Sequence, residues 1–248
     1  MGDKSADIAF EKGEFLRIFE QCMVQEGLAP FGLPPYPERF ADLTALLLEA
    51  NQTMNLTAIR EPGEICLKHY ADCLKLAAML PTEGSTLAGA LLDVGCGGGF
   101  PTLPLAIVRP DLRFTALDST GKKLRFVERC ATELSLPVKT LHARAEEAGH
   151  DPAYRERFEL VTARAVARLT QLCEWCLPFV RPDGIFLAMK GGSGDEELAE
   201  AGDRIISLGG KVEDVSRFLL GDMERTIIRI RKVSPTPAGY PKRHGKKK

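Results

Sequence analysis

A glycine-rich stretch in the first half of the chain has the residue types and spacing of a turn that binds a nucleotide-like ligand. An acidic residue and three glycines occupy alternate positions: Asp93, Gly95, Gly97 and Gly99. The apolar residues before them predict a buried strand, and Pro101 predicts the start of a helix. A dinucleotide-binding turn would need its third glycine at the position of Phe100. The spacing therefore favours S-adenosyl-L-methionine (SAM), although a glycine turn can also serve backbone geometry alone.

A second acidic residue lies where the ribose of such a ligand would bind. Residues 113–118 read as the next strand, and Asp118 ends it about twenty residues beyond the glycine turn. A carboxylate at this position can accept hydrogen bonds from both ribose hydroxyls. The alternative is that Asp118 only caps the helix that begins near Thr120.

Further candidate residues follow the later strands. Arg164 ends the fourth predicted strand, where a charge needs either a ligand or a carboxylate beside it. Lys190 ends the fifth, where an ammonium group could hold a phosphate or a base carbonyl. The loop after the third strand contains Ala145 and Glu146 and should lie over the adenine edge, because ligands collect at the carboxyl ends of parallel strands.

Two residue pairs have open roles. His69 and Asp72 are spaced i, i+3 on a predicted helix, so they share one face as substrate contacts or as a surface pair. Cys173 and Cys176 have the spacing of a redox or metal pair, but no second Cys/His pair lies nearby. Core packing is therefore the favoured interpretation, and no metal is expected.

The elements that must position these residues form two groups. From residue 90 onward, short apolar segments alternate with amphipathic ones, which predicts a parallel sheet covered on both faces. Strands are predicted at 90–95, 113–118, 138–143, 158–163, 184–190, 210–218 and 225–232, and helices begin near Pro101, Thr120, Arg168 and Asp195. The last two strands have a short link and should form an antiparallel hairpin. The prediction is an α/β protein with a seven-stranded Rossmann-like fold and a terminal antiparallel hairpin.

The remaining parts of the chain are a helical N-terminal region and a basic tail. Residues 1–86 show helical periodicity, including a last helix from Pro62 to Leu80. Residues 87–233 form the predicted sheet domain. Residues 234–248 are rich in proline, glycine and lysine, which is typical of a mobile arm that binds phosphates or of a tail that only aids solubility.

Composition limits the class of protein. The 248 residues include 44% hydrophobic residues, enough for a sizeable core. The net charge is only −1, so affinity for a nucleic acid must come from local clusters. Seven cysteines without a signal peptide favour a reduced cytoplasm, and no apolar stretch is long enough for a membrane span. We expect a soluble cytoplasmic monomer.

Several motifs resemble the bacterial glucose-inhibited division protein B family, which methylates N7 of a guanine in small-subunit ribosomal RNA. The likeness covers nearly the whole chain and rests on residues 55–59, 69–72, 93–110, 117–122, 163–165, 189–191 and 240–243. Two departures are Gly98, where relatives often have proline, and Cys73, where many have serine.

The resemblance implies a Rossmann-like SAM-dependent methyltransferase fold behind an N-terminal helical extension, with 16S rRNA or the 30S subunit as partner. Together with the reasoning above, it gives these candidate cofactor-binding residues: Asp93, Gly95, Gly97, Gly99, Phe100, Asp118, Ser119, Ala145, Glu146 and Arg164. Arg164 and Lys190 are expected to position the substrate, without a general base. Candidate RNA contacts are His69, Asp72, Lys242 and Arg243.

Two other functions are compatible with the residues. The chain could be a SAM-binding, RNA-associated ribosome assembly factor without turnover, or a methyltransferase that acts on a small molecule. A dehydrogenase is disfavoured by the spacing of the glycines.

Overall fold

The structure is a computed structural model that describes residues 10–80 and 89–242. In this part of the chain a single sheet contains seven strands, which occur close to their predicted positions. They are β1 Ala90–Val94, β2 Arg113–Asp118, β3 Val138–His142, β4 Phe158–Arg164, β5 Val180–Lys190, β6 Gly210–Leu220 and β7 Met223–Lys232.

The strands are arranged in the order β3-β2-β1-β4-β5-β7-β6. The first five strands in this order are parallel to one another, while β7 runs antiparallel to both β5 and β6. The predicted terminal hairpin is therefore confirmed, and it places β7 between β5 and β6. Its turn uses Gly221, whose φ of +55° is a conformation that glycine adopts without steric cost.

Helices lie on both faces of the sheet, and the four predicted helix starts are each within one residue of the observed ones. The helices are α1 Lys12–Gln25, α2 Tyr36–Met54, α3 Pro62–Ile65, α4 Asp72–Ala77, α5 Thr102–Val108, α6 Gly121–Glu133, α7 Ala145–Ala148, α8 Leu169–Cys176 and α9 Gly194–Ser207. Short 3₁₀ turns occupy Ala29–Gly32 and Leu177–Phe179. The short α7 was not predicted, because four residues carry too little periodicity.

The predicted helix from Pro62 to Leu80 is correct in outline but irregular in detail. Its α-helical ends, α3 and α4, are joined by a π-helical segment, Cys66–Ala71, and the helix ends at Ala77. π-Helical turns are rare and often occur at functional sites. Here the segment contains His69 and leads directly into Asp72.

The N-terminal helices share a core with the sheet. Phe19, Phe40 and Tyr70 are buried against one another, and the same hydrophobic cluster continues into Leu91 on β1. The next residue, Leu92, points to the opposite face and joins the cluster beneath α8 and α9. The N-terminal helices therefore pack against one face of the sheet. The predicted domain boundary at residue 86 stays a prediction. Within residues 10–80 and 89–242, no helix has the length and apolarity to cross a membrane.

The described part of the C-terminal segment is held by specific contacts. Thr236 is buried, and its hydroxyl donates to the Leu208 carbonyl at 3.0 Å. Arg155 donates to the carbonyls of Thr236 and Tyr240, both at 2.7 Å. These contacts pack the described residues 234–242 against the rest of the protein, and the mobility expected of the arm stays a prediction. Residues 243–248 lie outside the described residues.

Candidate functional site

A cavity of about 630 Å³ opens at the carboxyl ends of β1, β2 and β4, and we call it the first cavity. Its walls come from the glycine turn, from the ends of β2 and β3, and from α8. Six of the predicted cofactor residues that line it follow the carboxyl ends of β1, β2 and β3 in turn: Gly95, Gly97, Asp118, Ser119, Ala145 and Glu146. Phe100, His69 and Arg164 complete the side nearest the N-terminal helices.

Asp93 anchors the glycine turn from below. Its Oδ2 accepts hydrogen bonds from the hydroxyl of Thr102 at 2.7 Å and from the Thr102 amide at 3.3 Å, which ties the start of α5 to β1. Its Oδ1 is buried without a hydrogen-bond partner among the described residues. Burial raises the pKa of Asp93 to about 6. Asp93 does not line the cavity, so its predicted contact with the cofactor stays a prediction.

The three glycines of the turn have different surroundings, although all have positive φ values. A Cβ added at Gly97 would meet nothing within 4 Å, and one at Gly95 would meet the Val166 side chain at 2.8 Å. A Cβ at Gly99 would lie 2.5 Å from Leu103, in the core and not in the cavity. Gly99 therefore allows α5 to pack closely, and its predicted contact with the cofactor stays a prediction.

Asp118 both organises the loops and faces the cavity. Its Oδ2 accepts from the Gly97 amide at 2.9 Å, and its Oδ1 accepts from the Thr120 amide at 2.8 Å. The capping role is thus present, but a carboxylate has about four acceptor positions and these bonds use two. Both of the roles considered for Asp118 are compatible with its geometry.

Arg164 connects the sheet with the π-helical segment. Its Nη1 donates to Asp72 Oδ2 at 3.1 Å and to the Lys68 carbonyl at 3.2 Å. Burial opposes the charge of Arg164, but Cys73, Asp72 and Asp93 outweigh burial, so its pKa is raised. The arginine therefore forms the ion pair that was the alternative prediction, and it also lines the cavity.

The ring of Phe100 lies between two of these groups. His69 stacks on it at 4.5 Å between ring centroids and 16° between planes, and the Arg164 guanidinium lies 5.5 Å from its centroid. Burial, followed by the charge of Arg164, lowers the pKa of His69 to about 4. His69 is consequently neutral at pH 7, and its Nε2 shares a 3.0 Å hydrogen bond with the hydroxyl of Thr57.

A second cavity of about 460 Å³ adjoins the first, and we call it the second cavity. The two share His69, Arg164 and Ala165 as lining residues. Predicted residues Asp72 and Lys190 line only the second cavity, together with Arg225 of β7, which was not predicted from the sequence.

Lys190 lines the second cavity and is held in a buried ion pair. Its Nζ lies 2.6 Å from Glu197 Oε2 and donates to the Ala167 carbonyl at 2.8 Å, with side-chain exposures of 7% for Lys190 and 8% for Glu197. Burial alone would raise the pKa of Glu197, but hydrogen bonds from Lys190, Ser193 and the Leu169 amide lower it overall. The pair fixes the loop between β4 and α8, and the direct role predicted for Lys190 stays a prediction.

Other residues of the first cavity were not predicted from the sequence, among them Trp175 and Lys123. On α8 the buried residues are Leu169, Leu172, Cys173 and Cys176. Trp175, the only tryptophan of the chain, falls outside this apolar stripe, which is the signal that could have identified it. Cys173 and Cys176 are buried in the core, so the core-packing interpretation is confirmed, and burial raises the pKa of Cys173 to about 12.

Of the predicted RNA contacts in the tail, only one lies in the described residues. Lys242 places its ammonium group 5.8 Å from the Tyr240 ring and lines neither cavity. Arg243 lies outside the described residues.

The first cavity fits SAM. Open space beside Gly97 leaves room for a ligand against the backbone, and Asp118 has acceptor positions left for ribose hydroxyls. Trp175 supplies an aromatic wall for a purine.

Comparisons with known proteins agree with this description. Residues 37–228 match the family model described as GidB, rRNA small subunit methyltransferase G. The chain is 43% identical over 227 residues to the ribosomal RNA small subunit methyltransferase G of Acetivibrio thermocellus, covering 89% of this chain and 92% of that protein. The protein of the same name from Brevibacillus brevis is 43% identical over 211 residues, covering 84% and 87%.

Solved structures share the fold. The crystal structure of a mutant 16S rRNA (adenine(1408)-N(1))-methyltransferase from Catenulisporales acidiphilia superposes with a TM-score of 0.50 at 17% identity. The match covers 67% of this chain and 92% of that one. At this identity the likeness establishes the fold alone.

Proposed function

The chain belongs to the rRNA small subunit methyltransferase G family, and from that premise we propose that it transfers a methyl group from SAM to N7 of a guanine in 16S rRNA. The observation that carries this proposal is the first cavity, in which a glycine turn and a ribose-type carboxylate meet at the carboxyl edge of the sheet. The guanine and its N7 position come from the family resemblance.

Residues of the first cavity have separable roles toward the methyl donor. The turn at Gly95 and Gly97 would lie beside the ligand, and Asp118 would accept hydrogen bonds from its ribose. Ala145 and Glu146 would border the adenine together with Trp175. When bound, SAM supplies an electrophilic methyl group.

The acceptor chemistry suits the groups at the site. Guanine N7 has an in-plane lone pair and reacts without losing a proton, so no strong base is needed. His69 agrees with this requirement, because its lowered pKa and its hydrogen bond with Thr57 make it a weak, fixed group. Catalysis then depends on alignment of the reacting atoms in a water-poor site. It also depends on stabilisation of the positive charge that moves from the sulfonium to the guanine. Phe100 and Arg164 form the wall where that alignment would be set.

The RNA must present the guanine outside a regular duplex. The major groove of an RNA helix is too deep and narrow for a protein to reach N7, so the target is an unpaired or extruded nucleotide. The basic residues Lys242 and Arg243 would add salt-dependent affinity for the RNA. The enzyme would act as a monomer.

The proposal is tested by mass spectrometry of 16S rRNA from a strain that lacks the gene. We expect the loss of one 7-methylguanosine, which the wild-type gene restores and an Asp118→Ala variant does not. Unchanged 7-methylguanosine would contradict the proposal. Tritium transfer from labelled SAM to 30S subunits separates it from the alternatives, since an assembly factor without turnover or a small-molecule methyltransferase would leave the subunits unlabelled.

A further inference from the structure

The second cavity has no assigned ligand, and its place in the fold limits what it can hold. It shares a wall with the first cavity through His69, Arg164 and Ala165. A molecule in it would therefore lie beside the methyl donor. Its volume of about 460 Å³ falls in the range of roughly 300–1,000 Å³ typical of small-molecule pockets. A single nucleotide extruded from an RNA strand is a ligand of that class.

The charges of this cavity favour an anion. Among the described residues that line it, the cations are Lys68, Arg164, Lys190 and Arg225, and the carboxylates are Asp72 and Glu197. Arg164 and Lys190 are held by buried carboxylates, as described above, so they are already neutralised. The remaining two cations, Lys68 and Arg225, give the cavity its excess of positive charge.

These two cations are also the accessible ones. The Lys68 side chain is 35% exposed and pairs with Glu64, which is 47% exposed and does not line the cavity. An ion pair this exposed contributes little to stability. Arg225 is 23% exposed, and its Nε lies 3.4 Å from Asp72 Oδ1, beyond a good hydrogen bond. Its other contacts are with Glu224 and Met223, its neighbours on β7, so guanidinium donors remain for a phosphate.

The rest of the lining suits a base. Ile59 and Met189 provide apolar surface, and a Cβ added at Gly191 would meet nothing within 4 Å. We propose that the second cavity holds the acceptor nucleotide, with its base beside the shared wall and its phosphate contacted by Lys68 and Arg225. This inference rests on the proposed function and replaces Lys190 by Lys68 and Arg225 as the phosphate-binding residues.

The first experiment fills the cavity. Gly191→Phe places a side chain in the space where a Cβ has no neighbour. Gly202→Phe on α9 is the matched control, because a Cβ at Gly202 also has open space and Gly202 lines neither cavity. Methyl transfer from tritiated SAM to 30S subunits from a strain lacking the gene gives kcat/KM, and calorimetry gives SAM affinity. We expect Gly191→Phe to lower kcat/KM at least about a hundredfold with unchanged SAM affinity.

The same experiment can overturn the inference separately from the proposed function. Wild-type kcat/KM in Gly191→Phe would show that the acceptor lies elsewhere, while the activity of the wild-type protein would still support the proposed function. If the phenylalanine disturbs folding, as judged by the melting temperature, the smaller Gly191→Val variant gives the same comparison. Absence of transfer by the wild-type protein would contradict both the proposed function and the inference.

The second experiment tests the phosphate contact. Arg225→Gln should raise the KM for 30S subunits about tenfold and reduce the slope of log affinity against log salt by about one, with SAM affinity unchanged. Arg229→Gln is the matched control on the same strand, since Arg229 pairs with Glu213 and lines neither cavity. Equal KM and equal salt slope in Arg225→Gln and the control would overturn the assignment of Arg225.

Discussion

The two neighbouring cavities are built in different ways. The first is formed by short continuous loops at the ends of β1, β2 and β3, and its shape depends on backbone conformation and on missing side chains. The second is formed by charged side chains from the π-helical segment, from β4, β5 and β7, and from α9. The backbone loops shape the first cavity whereas paired charges shape the second, so the two should respond to different substitutions.

Ion pairs in the second cavity carry a cost that the glycine turn avoids. Two ion pairs are largely removed from water: Lys190 with Glu197, and Arg164 with Asp72. The attraction within such a pair offsets the desolvation cost only when the geometry is good. Removing one partner leaves a buried charge without compensation. The largest effects of single substitutions are therefore expected here.

The strongest test of this comparison is Lys190→Met. Glu197 would remain buried with only Ser193 and the Leu169 amide as partners, and the free energy of unfolding should fall by about 3–5 kcal/mol. Urea denaturation measures it. Arg217→Met is the control, because Arg217 pairs with Asp195 on the same helix α9 but both side chains are more than half exposed, at 57% and 58%. A loss in Lys190→Met no larger than in this control would refute the structural role of the pair.

The glycine turn gives the next test, in which stability and ligand binding separate. In Gly99→Ala, the positive φ and the 2.5 Å approach of the new Cβ to Leu103 should cost about 2–4 kcal/mol of unfolding free energy. In Gly97→Ala, only the backbone strain of about 1–2 kcal/mol remains, but the new methyl group enters the first cavity.

Calorimetry with SAM completes the glycine comparison. Gly97→Ala should bind SAM more weakly, whereas folded Gly99→Ala should bind it nearly as the wild type does. The reverse order of affinities would show that Gly99 faces the ligand after all.

The same contrast explains what the sequence could predict. The glycine turn, Asp118 and the strand ends are local patterns, and the strand positions followed from alternating apolar segments. The partners of Lys190 and Arg164 are distant in the chain, and no local pattern specifies Glu197 or Asp72 as their acids. The contacts of the described part of the tail could not be predicted for the same reason, because Arg155 reaches it from more than eighty residues away.

A pH experiment tests the wall that the cavities share. Burial and Arg164 lower the pKa of His69 from 6.5 to about 4, so between these pH values the folded state binds fewer protons than the unfolded chain. Stability from this group is complete above about pH 6.5 and is lost as the pH falls toward 4, by roughly 2–3 kcal/mol. Asp93, whose pKa is raised to about 6 by burial, acts in the opposite direction.

The difference between wild type and His69→Asn isolates the histidine from Asp93. Urea denaturation from pH 4 to pH 7 should show the wild type losing more stability than the variant as the solution is acidified. Parallel curves for the two proteins would mean that His69 titrates equally in the folded and unfolded states.

The smallest effect on stability is expected from Lys68→Gln, and this substitution sharpens the comparison within the second cavity itself. The Lys68–Glu64 pair is exposed and spaced i, i+4, so its loss should change the free energy of unfolding by no more than about 0.5 kcal/mol. The KM for 30S subunits should nevertheless rise, because a charge free of buried partners can contact a phosphate. Lys12→Gln is the control, since Lys12 pairs with Glu38 and Asp42 outside both cavities. If both variants leave KM unchanged, Lys68 is only a solvated helix residue. A rise confined to Lys68→Gln would mean that a cation contributing little to the stability of the fold contributes to substrate binding.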